Sequence, residues 1–166
     1  MLNKLLRSFA LLPVLLLATA VAAAADTTGS GNNMTLTVPS SATLIARVAV
    51  PVTVSIQCTG SLDTSSFYYL QGPYYNSNVA VTVSQPSGKT VNSATGFAGV
   101  PINCDGTTQT LPVSVLASVP FHQGAAAITA SAQWSESVYG CSYVLGCGYF
   151  SVQANATAQG ALSLSG

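Results

Sequence analysis

The chain has 166 residues, enough for one domain with a real core, and carries only four Lys/Arg and four Asp/Glu. Charged residues make up 5% of it, against about a quarter in typical domains, so Ser, Thr, Asn, Gln and Gly must form most of the solvated surface. This composition excludes a basic nucleic-acid footprint and makes steering of charged ligands unimportant.

Residues 1–25 read as a secretory signal peptide. Lys4 and Arg7 form a basic start, residues 11–22 are apolar, and Ala23-Ala24-Ala25 is a small-residue cleavage site before Asp26. The apolar run is short for a span of about 20 residues, and residues 161–166 carry no apolar tail. A secreted or surface-held protein with no membrane contact after cleavage is therefore expected. Beyond residue 25, Arg47 and Lys89 face Asp26, Asp63, Asp105 and Glu136, a balance of −2. So little charge makes the surface nearly indifferent to pH and salt, and leaves little repulsion between copies.

Residues 26–33 are polar and Gly-rich and read as a flexible leader. Residues 34–38, Met-Thr-Leu-Thr-Val, alternate as a first short strand. The clearest pattern runs from Leu44 to Cys58. Even positions carry Leu44, Ala46, Val48, Val50, Val52, Val54, Ile56 and Cys58, and from Arg47 onward the odd ones carry Arg47, Ala49, Pro51, Thr53, Ser55 and Gln57. A period of two places one set on one face of a strand, so Cys58 points inward. Pro51 lacks an N–H, which predicts a break there and two segments, roughly 43–50 and 52–58.

Residues 59–66 read as a loop, 67–70 as a short strand, Gln71-Gly72-Pro73 as a turn and 79–83 as a strand. Ala98, Val100, Ile102 and Cys104 share a parity, predicting a second strand that ends in an inward cysteine before an Asp105-Gly106 turn. Leu111, Val113, Val115 and Ala117 form the next apolar face. Ala126, Ile128, Ala130, Ala132 and Trp134 form another, whose small residues let a facing sheet approach closely around a Trp plug. Phe150, Val152, Ala154 and Ala156 make a further strand, and residues 161–165 a last short one. No helical period is present in residues 26–166. The pattern predicts an all-β, antiparallel, disulfide-stapled sandwich of about 8–9 strands over residues 34–166, with an immunoglobulin-like Greek key preferred.

Four cysteines in an exported chain imply disulfides. Of three possible pairings, Cys58–Cys104 with Cys141–Cys147 is favoured: the first joins two inward strand ends and the second staples a hairpin loop. Closing the first loop is worth roughly 3 to 4 kcal/mol. No C-x-x-C pair accompanies the single His122, so no metal or other cofactor is expected. The Trp that an antibody domain places between its core cysteines is missing from between Cys58 and Cys104.

His122 reads as a turn residue, lacking a nucleophile and an orienting acid. Asp63, Asp105 and Glu136 are scattered and explained as loop residues rather than as a glycosidase pair. Asn33-Met34-Thr35 and Asn155-Ala156-Thr157 match the N-x-[ST] pattern. The tyrosines carry the functional hint. Tyr68, Tyr69, Tyr74 and Tyr75 crowd one segment beside Phe67, and Tyr139, Tyr143 and Tyr149 surround the small disulfide loop. A loop tyrosine offers flat apolar area with a hydroxyl, suited to glycans or protein surfaces.

Residues 43–50 and Cys58, then Cys104-Asp105-Gly106, then Val119-Pro120-Phe121-His122-Gln123-Gly124-Ala125-Ala126, resemble a group of small secreted bacterial proteins of unassigned activity. The resemblance covers most of residues 26–166 and implies an immunoglobulin-like sandwich without a catalytic residue. The tyrosine-rich insert at 67–78 is not matched by that group. The expectation is a secreted, non-enzymatic protein acting through its surface in the cell envelope or matrix, as an adhesion or self-assembling filament subunit; the alternative is a carbohydrate-binding module with a tyrosine platform.

Overall fold

The computed structural model describes residues 26–166, so the expected signal peptide lies outside the described residues. The order is β1 (Thr27–Gly31), β2 (Met34–Val38), β3 (Ser41–Thr43), β4 (Ala49–Thr59), β5 (Phe67–Ser87), β6 (Thr90–Phe97), β7 (Asp105–Leu116), β8 (Gly124–Ser142) and β9 (Gly146–Ser165). They form two sheets, β1-β2-β4-β7 and β3-β9-β8-β5-β6, antiparallel throughout except for the parallel β3–β9 pair. Alternating side chains of both sheets meet in one core. Leu36, Val54 and Ile56 from the first sheet pack against Val81, Ile128 and Leu162 from the second, all buried.

The glycines of β1 allow a close approach to the second sheet. β1 lies so close to β9 that a Cβ on Gly29 or Gly31 would run into the carbonyls of Thr157 or Asn155, and the Asn155 N–H donates to the Asn32 carbonyl at 2.9 Å. On the other side, Ala98 bridges to Val113 and draws the end of β6 onto β7. Both open sides of the sandwich are thereby narrowed. Phe121 plugs one end, and Trp134 and the Cys58–Cys104 bridge flank Gly60 at the other.

Several expectations need correction. The polar leader contains strand β1, because pairing with β2 satisfies its backbone although it buries no side chain. Pro51 does not break the strand: β4 runs through it, since β2 pairs only as far as Ser55 and leaves an open edge beside Pro51. The interruption falls earlier. Residues 45–48 make a tight turn with Ala46 and Arg47 at φ 48° and 62°, the Val48 N–H donating to the Ile45 carbonyl, so Ala46 and Val48 are exposed. Gln71-Gly72-Pro73 is no turn but an irregularity inside β5, where pairing shifts from Gln71↔Tyr139 to Tyr74↔Ser137. Residues 98–104 are not a strand beyond the single bridge of Ala98 to Val113; Cys104 reaches Cys58 from the loop before β7, and Asp105-Gly106 opens β7 instead of making a turn. Residues 161–165 belong to β9.

Candidate functional site

The first sheet stops near Cys58, but β5, β8 and β9 continue. Beyond the row Ser77–Trp134–Ala154 they run eight further residues to Ser142 and Gly146, a three-stranded arm about 27 Å long. Its hairpin end is stapled by Cys141–Cys147, directly opposite each other on β8 and β9. Loop residues 60–66 lie against its base, where the Leu62 N–H donates to Glu136 Oε2 at 3.2 Å.

The arm has two faces. The inner one continues the core parity. Phe67 and Phe150 meet edge to face at 4.7 Å, beside Leu70 and buried Val138, and Tyr75 lies 6.2 Å from Trp134. Gly140 faces this cluster, where a Cβ would come within 2.5 Å of the Phe67 ring.

The outer face is built row by row from the register. Starting from the last row of the body, Asn78–Gln133–Asn155, the rows continue outward as Asn76–Ser135–Gln153, Tyr74–Ser137–Ser151, Gln71–Tyr139–Tyr149 and Tyr69–Cys141–Cys147. The amide rows line a groove of about 420 Å³. Tyr139 and Tyr149 stand edge to face at 5.2 Å, and Tyr68, an extra residue in β5, packs on Tyr143 at 4.6 Å. None of these five rows contains a charged residue.

The seven tyrosines singled out from sequence therefore divide. Tyr69, Tyr74, Tyr139 and Tyr149 share the outer face, Tyr68 and Tyr143 pair beside the disulfide, and Tyr75 is on the other side of the sheet. Sequence reasoning passed over the amides Asn76, Asn78, Gln133 and Gln153, and read Asn155 only as an N-x-[ST] match. The signal was there: they occupy the parity opposite the core residues Trp134, Ala154 and Ala156.

The acidic side chains Asp26, Asp63, Asp105 and Glu136 each accept a hydrogen bond. Asp105 accepts from the Thr107 hydroxyl at 2.5 Å, the Thr107 N–H at 2.9 Å and Asn103 Nδ2 at 2.7 Å. The Thr107 hydroxyl and N–H hold its pKa below the ordinary 3.8, so it is unsuited to deliver a proton. Asp63 is likewise lowered by the Ser65 N–H. Asp105 and Glu136 do line one cleft with Tyr75 and Trp134 on the inner side of the arm's base. His122 is at the opposite end of the sandwich, its Nδ1 2.9 Å from Arg47 Nη2 and its backbone clamped by buried Gln85, which accepts from its N–H and donates to its carbonyl. Among the described residues no three His, Cys, Asp or Glu side chains gather as a metal site.

No family model, curated protein or solved structure matches the chain.

Proposed function

We propose that this is a secreted, non-enzymatic protein that acts through its surface in the cell envelope or extracellular matrix, and that the outer face of the arm is a platform for neutral polysaccharide. The observation that carries this reading is the composition of that face: tyrosine rings and amide and hydroxyl side chains in regular rows, without charge. Rings stack on the apolar faces of sugars, amides hydrogen-bond their hydroxyls, and an uncharged ligand meets no unpaired ion. Two disulfides fit an oxidising compartment, as does the expected signal peptide.

The fold is read as immunoglobulin-like. In support, β9-β8-β5-β6 follows the order of a variable-type G-F-C-C′ sheet, and β2-β4-β7 follows A-B-E. The bridge departs from the antibody pattern, because Cys104 comes from a loop rather than from β8.

Glycan-array screening followed by titration calorimetry tests the platform. Binding to neutral glycans is expected, and loss of it in Tyr74→Ala and Tyr149→Ala. No binding to any glycan, or undiminished binding in both variants, overturns the reading.

A second reading, a filament subunit assembled by strand addition, is favoured by the N-terminal strands. β2 inserts Met34, Leu36 and Val38 into the core, whereas β1 contributes no buried side chain. An N-terminal segment of this kind completes a neighbour's sheet if it is exchanged between copies. Size exclusion and electron microscopy test it; a strictly monomeric protein at all concentrations overturns it.

A further inference from the structure

The end of the arm has a chemistry of its own. At the tip, Tyr143, Val144 and Leu145 are 86%, 87% and 68% exposed, among the most exposed large apolar side chains of the described residues. Burial normally claims such groups, and here three consecutive ones are held in water by the Cys141–Cys147 staple. They form a convex point rather than a flat patch, so a rigid partner would need a pocket shaped to receive them, whereas a fluid apolar phase needs none.

Polarity is graded along the arm. Aliphatic Val144 and Leu145 lead. Tyr68 and Tyr69 follow at the level of the disulfide, and Tyr139 and Tyr149 about 7 Å further back. Behind them come the hydroxyls and amides. That sequence matches the depth profile of a lipid interface: hydrocarbon, then the headgroup level that aromatic rings with a polar tip prefer, then water. Across 67–78 and 135–153 the sole charge is Glu136, at the base, so insertion desolvates no ion. Backbone pairing is continuous from Trp134↔Ala154 to Ser142↔Gly146 and stops there, so the unladdered amide groups at the tip are those of the turn 143–145, of which the Val144 N–H donates to the Ser142 hydroxyl at 3.2 Å; this keeps insertion shallow. The staple also fixes the loop before contact, which lowers the ordering cost.

We infer that the Tyr143-Val144-Leu145 tip inserts shallowly into a lipid surface and acts as an interfacial anchor. This departs from the expectation of no membrane contact, which considered continuous apolar runs and not a hairpin tip. The inference stands apart from the glycan reading, since Val144 and Leu145 belong to none of the outer-face rows.

The test is flotation of the disulfide-intact protein with phosphatidylcholine vesicles, alone and with anionic lipid added. Weak, reversible binding is expected, equal on both vesicle types and unchanged between 0.1 and 1 M salt, because no charge participates. Val144→Ser with Leu145→Ser should reduce partitioning roughly 100-fold, about tenfold for each side chain, while the melting temperature and glycan binding stay as they were. A Leu145→Trp variant supplies a second readout: its added emission should shift blue on vesicles and be quenched by brominated lipid. Absence of flotation at saturating lipid together with an unshifted Leu145→Trp spectrum overturns the inference. So does lipid-free dimerisation abolished by the serine pair, which would assign the tip to a second copy of the chain.

Discussion

Tyr139 and Tyr149 face each other across β8 and β9 with ring centroids 5.2 Å apart, one row behind the Cys141–Cys147 staple. The pair is mounted on paired backbone, so it presents two rings whose positions are set before any ligand arrives. Covering about 60 Å² of one ring gains ~1.5 kcal/mol, about tenfold in affinity. Tyr149→Ala should weaken polysaccharide binding by about that factor in calorimetry. Because Tyr149 is 78% exposed, its thermal melting should hardly move.

Gly140 controls the shape of the arm from the opposite face. A Cβ there meets the Phe67 ring at 2.5 Å and Leu70 Cδ2 at 3.1 Å, and the ring is pinned against Phe150. Gly140→Val should cost about 1–3 kcal/mol by overpacking. The damage should be confined to the arm: hydrogen exchange quickens at residues 67–70 and 138–150 while β4 and β7 stay protected.

The disulfides should rank by the chain they enclose. Cys58–Cys104 spans 46 residues and Cys141–Cys147 spans 6. In the chain-entropy model they contribute about 4 and about 2 kcal/mol. Denaturant titration of the double alanine variants should therefore show the larger loss for Cys58→Ala with Cys104→Ala. The reverse order would mean that the arm, rather than the body, dominates global stability.

Where side-chain alternation matched burial, the fold was legible from sequence: residues 34–38, 52–58, 79–83 and 111–115 are strands with the expected inward set, and both disulfides pair as favoured. Where backbone decided, it was not. β1 exists because Gly29 and Gly31 allow contact with β9 more than a hundred residues away, and no local pattern announces that. Pro51 is tolerated because β2 is short, a fact about a different strand. The run from Ala98 to Cys104 alternates like a strand, yet Ile102 is buried from a loop whose N–H donates to the Ser77 hydroxyl. The site was half legible. Clustered tyrosines were visible by composition, but Tyr75 falls on the inner face because it shares the parity of Val79 and Val81, Tyr69 reaches the outer face only through the irregularity at residues 72–73, and the amide rows emerge only once three strands are set in register.

Stability should be flat over the neutral range and fall in acid. Asp105 and Asp63 have folded pKa values below the ordinary 3.8, lowered chiefly by the Thr107 hydroxyl and the Ser65 N–H. Depressed carboxylates contribute stability that is present above the unfolded value and lost as pH falls through the folded one. Melting temperature should therefore hold from pH 8 to about pH 5 and decline below about pH 4. Asp105→Asn should flatten part of that decline, and an unchanged profile would remove the Thr107 contact as its source.

The two N-terminal strands should differ sharply in what their removal does. β1 buries no side chain, so deleting residues 26–31 should leave a folded monomer with a lower melting temperature. β2 supplies Met34, Leu36 and Val38, all buried. Losing three core side chains at about 2–4 kcal/mol each rivals the whole stability of a domain. Protein lacking residues 26–38 should therefore be unfolded or self-associated at the same concentration. If the vacated position beside β4 accepts a strand from outside, a synthetic peptide of residues 26–38 added in trans should restore cooperative melting in proportion to its concentration. Failure of the peptide to rescue, with the longer deletion still folded and monomeric, would exclude strand exchange as a route to assembly.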